Sequence, residues 1–357
     1  MNHAFGSASP FTVGIEEELF LVDGGDLGLT PAAKELLSRI DEPDELLGHE
    51  AYASELELRS PPATSADEAT STLGRLRRVA GSAGAALIGA GLHPGAAFGE
   101  VELVDSERYR TVRGEMRGLI ERTPEAALHV HVGVPDAETA IRVHNGLRPW
   151  LPLLAGLAAT SPFWFGRDSG LASARWAVIS AFPGRGVPDA LADLDDYERR
   201  LATVAAAGGP SDYTLVWWDI RLHPKLGTVE LREMDSQSRL GDVAALAAQI
   251  RGLARDAAER ESEPVPREAI EWSMFRAIRD GTASEILDRG RLVPLPETAR
   301  RAVAIAEPHA REVGDDAALE GVERVLADPS PERQRRAFAE GGIGAVLELL
   351  RAETDGL

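Results

Sequence analysis

The sequence predicts an α+β protein from three observations. Five stretches carry apolar residues at helical spacing, and five short segments alternate polar and apolar residues as strands do. With 44% of residues hydrophobic and 27% charged, the chain also carries enough apolar material for a sizeable core and no mark of disorder.

The helical patterns cover residues 31–40, 65–88, 138–160, 242–261 and 331–352. In the second, Ser65 is a capping candidate, and Leu73, Leu76 and Val79 follow at helical spacing. No Gly/Ser or Pro-rich linker divides the 357 residues, so one domain is expected. Its seam is placed at 261–266, and residues 262–357 are expected to form a helical C-terminal appendage.

The strand segments place their polar residues at i, i+2 positions and so on one face of a sheet. Residues 14–22 put Glu16 and Glu18 on one side, whereas Glu17 faces the same way as Ile15, Leu19 and Leu21. Residues 54–59 project Glu55, Glu57 and Arg59 together; residues 128–133 project His129 and His131. Asp219 with Arg221, and Glu230 with Arg232, share faces in 217–222 and 227–232. Alternation alone is what any antiparallel sheet with one wet face shows. Here the outward residues are almost all Glu, Asp, His and Arg rather than Thr, Ser and Lys.

A wall of carboxylates repels itself unless cations hold it. Oxygen-rich ligation with an occasional imidazole and no thiolate points to Mg²⁺ or Mn²⁺ rather than structural zinc. Arginines among the acids suit phosphate, which they grip bidentately. The combination is a metal–nucleotide site on a sheet face.

Absences narrow the chemistry. The chain has no Cys, which excludes disulfides, thiolate metal sites and a cysteine nucleophile, and fits a cytoplasmic setting. Its only lysines, Lys34 and Lys225, follow Ala33 and Pro224, so no P-loop exists. Gly89-Ala90-Gly91 lacks the third glycine of a dinucleotide fingerprint and reads as a turn, and Ser82 sits in a helical pattern without a nucleophile elbow. With 38 basic against 58 acidic residues the net charge is −20, which opposes nucleic-acid binding, and no apolar run suggests a membrane span. The sequence leaves self-association open.

Some polar residues have plain structural readings. Asp219 and Arg221 are expected to form a cross-strand ion pair rather than hold a ligand. His131 stands evenly between lining the site and packing, and His93, His144, His223 and His309 are taken as structural or surface residues. Trp217-Trp218 reads as core-edge packing.

Several stretches together resemble the glutamate–cysteine ligase type 2 family of ATP-dependent carboxylate–amine ligases. They are Gly14-Ile15-Glu16-Glu17-Glu18, Glu55-Leu56-Glu57 before Ser60-Pro61-Pro62, Leu128-His129-Val130-His131-Val132-Gly133, Ser161-Pro162-Phe163-Trp164, and Trp218-Asp219-Ile220-Arg221 through Gly227-Thr228-Val229-Glu230-Leu231-Arg232. Weaker similarity continues into the tail, which has Glu271-Trp272-Ser273 in place of the family's usual Glu-Asn.

The resemblance implies a glutamine-synthetase-like fold: a curved, largely antiparallel sheet with Mg²⁺ (or Mn²⁺) and ATP on its concave face and helices behind. It implies metal ligands at Glu16, Glu18, Glu50, Glu57, His129 and Glu230. It also implies a phosphate-contacting arginine at Arg232 and, in the Arg175-Trp176 pair, an arginine facing substrate and phosphate. The implied reaction activates the γ-carboxylate of glutamate as an acyl phosphate and transfers it to cysteine or another amine. Three alternatives stay open: a metal-dependent hydrolase using the His129-x-His131 pair, a guanidino-kinase-like phosphotransferase, and a nucleotide sensor without turnover.

Overall fold

The alternating segments find one another in a single antiparallel sheet. The computed structural model describes residues 2–7, 9–261 and 264–356, so Ser262 and Glu263, within the expected seam, lie outside the described residues. The strands in chain order are β1 (Val13–Val22), β2 (Leu47–His49), β3 (Glu55–Arg59), β4 (Ala86–Ile88), β5 (Ala127–Gly133), β6 (Phe163–Trp164), β7 (Arg167–Asp168), β8 (Ile220–His223), β9 (Thr228–Asp235), β10 (Glu285–Asp288) and β11 (Arg291–Pro294). Seven form the main sheet in the order β2-β3-β1-β5-β9-β8, with β4 also pairing to β1; β6-β7 and β10-β11 are separate hairpins.

One sheet face carries Ile15, Leu19, Leu56, Leu58, Leu128, Val130, Val132, Ile220, Leu222 and Leu231, all fully buried. Helices Ala66–Ser82, Ala137–Leu147, Leu151–Leu157 and Leu240–Glu259 cover it, because a row of branched side chains at every second position must be removed from water. The alanine-rich Leu240–Glu259 is buried on nearly every side. At Gly252 a Cβ would lie 2.5 Å from that of Ala306, so only glycine lets helix Leu295–Val313 approach so closely.

Glu17 is the polar exception on this face, as its place in the alternation requires. It is fully buried and paired with Arg77, whose remaining N–H groups donate to the carbonyls of Ser238 (2.6 Å), Gln237 (2.8 Å) and Thr354 (3.1 Å). A buried carboxylate persists only with such compensation. This pair stitches the sheet to the C-terminal helix.

Several helix boundaries differ from expectation. Ser65 does cap its helix, accepting from the Glu68 N–H at 3.1 Å, but the helix ends at Ser82, and Gly84 (φ +98°) turns the chain into β4. The expected helix 138–160 breaks into Ala137–Leu147, a 3₁₀ turn at Arg148–Trp150, and Leu151–Leu157, where Pro149 and Pro152 withhold N–H donors. Helix Ser330–Asp355 is interrupted by non-helical Gly341 and Gly342. Its second half packs Val346, Leu347 and Leu350 against Phe20 and Ile88. The C-terminal region packs against the sheet through these contacts, and it includes the β10-β11 hairpin. Apolar Phe20 and Val22, at one end of β1, require that cover. Among the described residues no helix is long and apolar enough to cross a membrane.

Candidate active site

Strand register decides which polar side chains meet. Glu16 lies opposite His129 on one neighbour and Arg59 on the other; Glu18 lies opposite Glu57; Glu230 lies opposite His131 on one side and Arg221 on the other. Directly opposed residues have Cβ atoms about 5 Å apart, within reach of one shared ligand.

One donor from each of Glu16, His129 and Glu230 falls within 4.8 Å of the others. His129 Nδ1 is 3.2 Å from Glu16 Oε2, and His131 Nε2 is 3.5 Å from Glu16 Oε1 and 3.8 Å from Glu230 Oε1. Burial opposes ionisation of Glu16, but the imidazoles of His131 and His129 overcome it and hold its carboxyl well below the usual range. Glu230 is likewise buried yet held low by Arg232, Arg221 and His131. Arg221 Nε donates to it at 2.6 Å, and Arg232 pairs with its other oxygen. Burial and the Arg232 charge push His129 down to about 3, so its ring is neutral, the form that ligates metal. His131 lines the same cluster, its Nδ1 3.0 Å from the Thr228 hydroxyl.

In the second group of carboxyls, burial and neighbouring acids outweigh the nearby cations, although Arg59 pairs with Glu57. Burial, then Glu125 and Glu50, raise Glu18 to about 8. Burial with Glu50 and Glu16 raises Glu57, and burial raises Glu50. Carboxyls whose ionisation is opposed by burial, and in Glu18 and Glu57 also by neighbouring acids, are what a divalent cation stabilises as carboxylates. The oxygen-rich donors with one neutral imidazole fit Mg²⁺ or Mn²⁺.

A cleft opens over these residues. Its lining includes Glu18, Glu50, His129, Arg175 and Arg232 from the expected set, with Tyr52, Tyr109 and Trp217. Glu16, Glu57 and Glu230 adjoin it through the register pairs above. Arg175, at the start of the short helix Arg175–Ile179, is buried; its Nε donates to Glu125 Oε2 at 2.6 Å and its Nη1 to the carbonyls of Glu233 and Met234 at 3.3 Å. Asp235 Oδ1 lies 3.9 Å from Nη1 and accepts from the Ser173 hydroxyl (2.9 Å), while Oδ2 accepts from Thr160 N–H (2.9 Å) and the Ser161 hydroxyl (2.7 Å). Gly91 leaves room for that carboxylate, since a Cβ there would lie 2.4 Å from Asp235 Cγ.

The expected Asp219–Arg221 pair does not form. Arg221 reaches across to Glu230, and the nearest cation to Asp219 is Arg185, at 3.6 Å. Same-strand i, i+2 residues are separated by about 6.6 Å of rise, whereas the cross-strand partner is closer.

Sequence reasoning missed Glu125, Arg185 and Asp235. Glu125 and Arg185 come from loops with no pattern to flag them. Asp235 is hidden by a bulge: Leu128 pairs with Met234 but Val130 with Leu231, so Arg232 and Glu233 together oppose His129. The extra residue sends Met234 to the core and turns Asp235 to the site face.

Sequence comparisons with known proteins agree on one family. The model of glutamate–cysteine ligase family 2 matches residues 12–349. A Rubrobacter xylanophilus protein provisionally named glutamate–cysteine ligase 2-3 is 40% identical over 99% of this chain and all of its own length. The Haloferax volcanii glutamate–cysteine ligase is 32% identical over 97% of this chain and 98% of its own. Among solved structures, the Francisella tularensis glutamate–cysteine ligase, in complex with AMP, superposes with a TM-score of 0.70 at 13% identity, covering 98% of this chain and 90% of that one. A bifunctional glutathione synthetase from Pasteurella multocida gives 0.69 at 14% identity, covering 97% and 53%.

Proposed function

The chain belongs to glutamate–cysteine ligase family 2, and on that basis we propose that it joins the γ-carboxylate of L-glutamate to an amine with consumption of ATP. The observation that carries this reading is the meeting of two chemistries on one sheet face. Donors of Glu16, His129 and Glu230 converge, and Arg232, bound to that same Glu230, stands beside them.

Glu16, Glu18, Glu50, Glu57, His129 and Glu230 would hold the divalent cations, Mg²⁺ or Mn²⁺, which supply positive charge to the ATP phosphates. Glu230 fixes the Arg232 guanidinium where charge builds on the transferring phosphoryl group, and Arg221, on the other oxygen of Glu230, fixes Glu230 in turn. A γ-carboxylate oxygen attacks the γ-phosphorus and ADP leaves. The amine nitrogen then attacks the acyl carbon, loses a proton, and phosphate leaves as the amide forms. Positioning and electrostatics suffice for phosphoryl transfer, so no side-chain nucleophile is needed. Arg175, braced by Glu125 and the backbone carbonyls, would face the carboxylate substrate. The family match runs to residue 349, which supports reading 262–357 as part of one catalytic unit.

The test is ADP release with Mg-ATP, glutamate and a panel of amines, with products identified by mass spectrometry. Release should require metal, glutamate and an amine, and yield a γ-glutamyl amide. Turnover that survives a chelator or needs no ATP, or stoichiometric zinc in the purified protein, would establish a hydrolase instead.

A further inference from the structure

Two buried ionisable side chains, one acid and one base, line the cleft without hydrogen-bond partners among the described residues. Glu55, on the site face of β3, is fully buried, and neither carboxylate oxygen has a partner. The Arg185 side chain is only 7% exposed, its Nε and Nη2 have no hydrogen-bond partner, and its nearest carboxylate, Asp219, stands 3.6 Å away. Their neighbours are committed: Glu18 accepts from the Ala127 N–H, Glu125 binds Arg175, and Arg232 binds Glu230. Leaving a charged group buried and unpaired is costly, so such groups mark where a ligand completes the site.

We propose that Glu55 and Arg185 form a clamp for the α-amino-acid head of the donor, Glu55 taking the α-ammonium and Arg185 the α-carboxylate. This rests on the ligase reading above and adds to it the orientation of the donor and two residues that set its specificity.

The donor rather than the acceptor belongs here for a chemical reason. The acceptor nitrogen must shed its proton to attack, so a carboxylate that stabilises its ammonium form would oppose the reaction. The donor's α-ammonium takes no part and stays charged. Position agrees: Glu55 pairs in register with Phe20, four residues along β1 from Glu16, which is about 13 Å at strand rise. That length accommodates a cation, a phosphoryl group and a five-carbon acid in sequence. A head held at Glu55 and Arg185 presents the distal carboxylate to ATP, so the clamp determines that the γ- and not the α-carboxylate is activated.

Truncated donors test each half. Glutarate is glutamate without its α-ammonium; 4-aminobutyrate is glutamate without its α-carboxylate. Wild-type enzyme should prefer glutamate to each by at least about 100-fold in kcat/KM, because either truncation leaves Glu55 or Arg185 buried without a hydrogen-bond partner. Glu55→Gln should shrink the glutamate-to-glutarate ratio at least about tenfold and leave the glutamate-to-4-aminobutyrate ratio standing; Arg185→Met should do the reverse. Both should act on the donor KM with little change in the KM for ATP. Equal use of all three donors by the wild type, which requires no variant, would overturn the clamp, as would variants that keep both ratios. Either result still shows glutamate-dependent ADP release and so spares the ligase reading. No release with glutamate under any condition would remove that reading and the clamp together.

Discussion

Glu57→Gln and Glu230→Gln make the same substitution on the same sheet face, yet the structure assigns them different effects on stability. Glu230 is 1% exposed and binds Arg221 and Arg232, with His131 3.8 Å away. Neutralising it strands buried cations, a lesion of about 3–5 kcal/mol. At about 2.1 cal/mol/K of unfolding entropy per residue, a 357-residue chain loses roughly 1.3 °C per kcal/mol, so the melting temperature should fall by about 4–7 °C. Glu57 is paired with Arg59 but lies among Glu50, Glu16 and Glu18, and its carboxyl is pushed up by burial and that repulsion. Gln there removes the repulsion and leaves Arg59, whose side chain is 29% exposed, to solvent, so the chelated protein should melt no lower than wild type. The pH dependences differ in sign as well. The Glu230 carboxyl is lowered from 4.5, so its stabilisation is present above that pH and lost as pH falls through the lowered value. The Glu57 carboxyl is raised, so the folded wild type binds the extra proton and loses stability as pH rises from 4.5 through the raised value; Glu57→Gln should lack that slope. Both variants should lose about 10²–10³ in turnover at saturating Mg²⁺. Melts in chelator at pH 7, alongside ADP release, decide the matter. A Glu230→Gln protein as stable as wild type, or a Glu57→Gln protein that falls as far as Glu230→Gln, would refute this account of the two clusters.

Arg232→Ala should lower kcat and kcat/KM together, as loss of a transition-state contact does, in steady-state ADP release. Arg175→Lys keeps charge but loses the fork to Glu125 and two carbonyls; it should raise the KM for the carboxylate donor more than that for ATP and lower the melting temperature by a few degrees. Arg77→Ala strands buried Glu17 on the opposite sheet face, so it should cost about 3–5 kcal/mol in the melt while kcat per folded molecule stays unchanged.

The polar alternation at Glu16/Glu18, Glu55/Glu57, His129/His131 and Glu230/Arg232 was legible in the sequence, because side-chain direction in a strand has period two and needs no partner to define it. The same local pattern assigned Glu17 to the apolar face, and the family resemblance supplied the carboxylate–amine ligase chemistry. Partner choice was not legible. Arg221 chose Glu230 over Asp219 because cross-strand register, unlike strand period, is set by residues distant in sequence. The β9 bulge opposite His129, which turns Asp235 toward Arg175, likewise exists only where β5 and β9 pair. Glu125 and Arg185 reach the cleft from loops whose course follows from closing the fold. The C-terminal helix became part of the core because apolar Phe20 and Ile88 had to be covered. The sequence by itself determined which chemistry the sheet face could carry; long-range pairing, through register, bulge and loop closure, decided which charges neutralise one another and left Glu55 and Arg185 facing the cleft without a hydrogen-bond partner among the described residues.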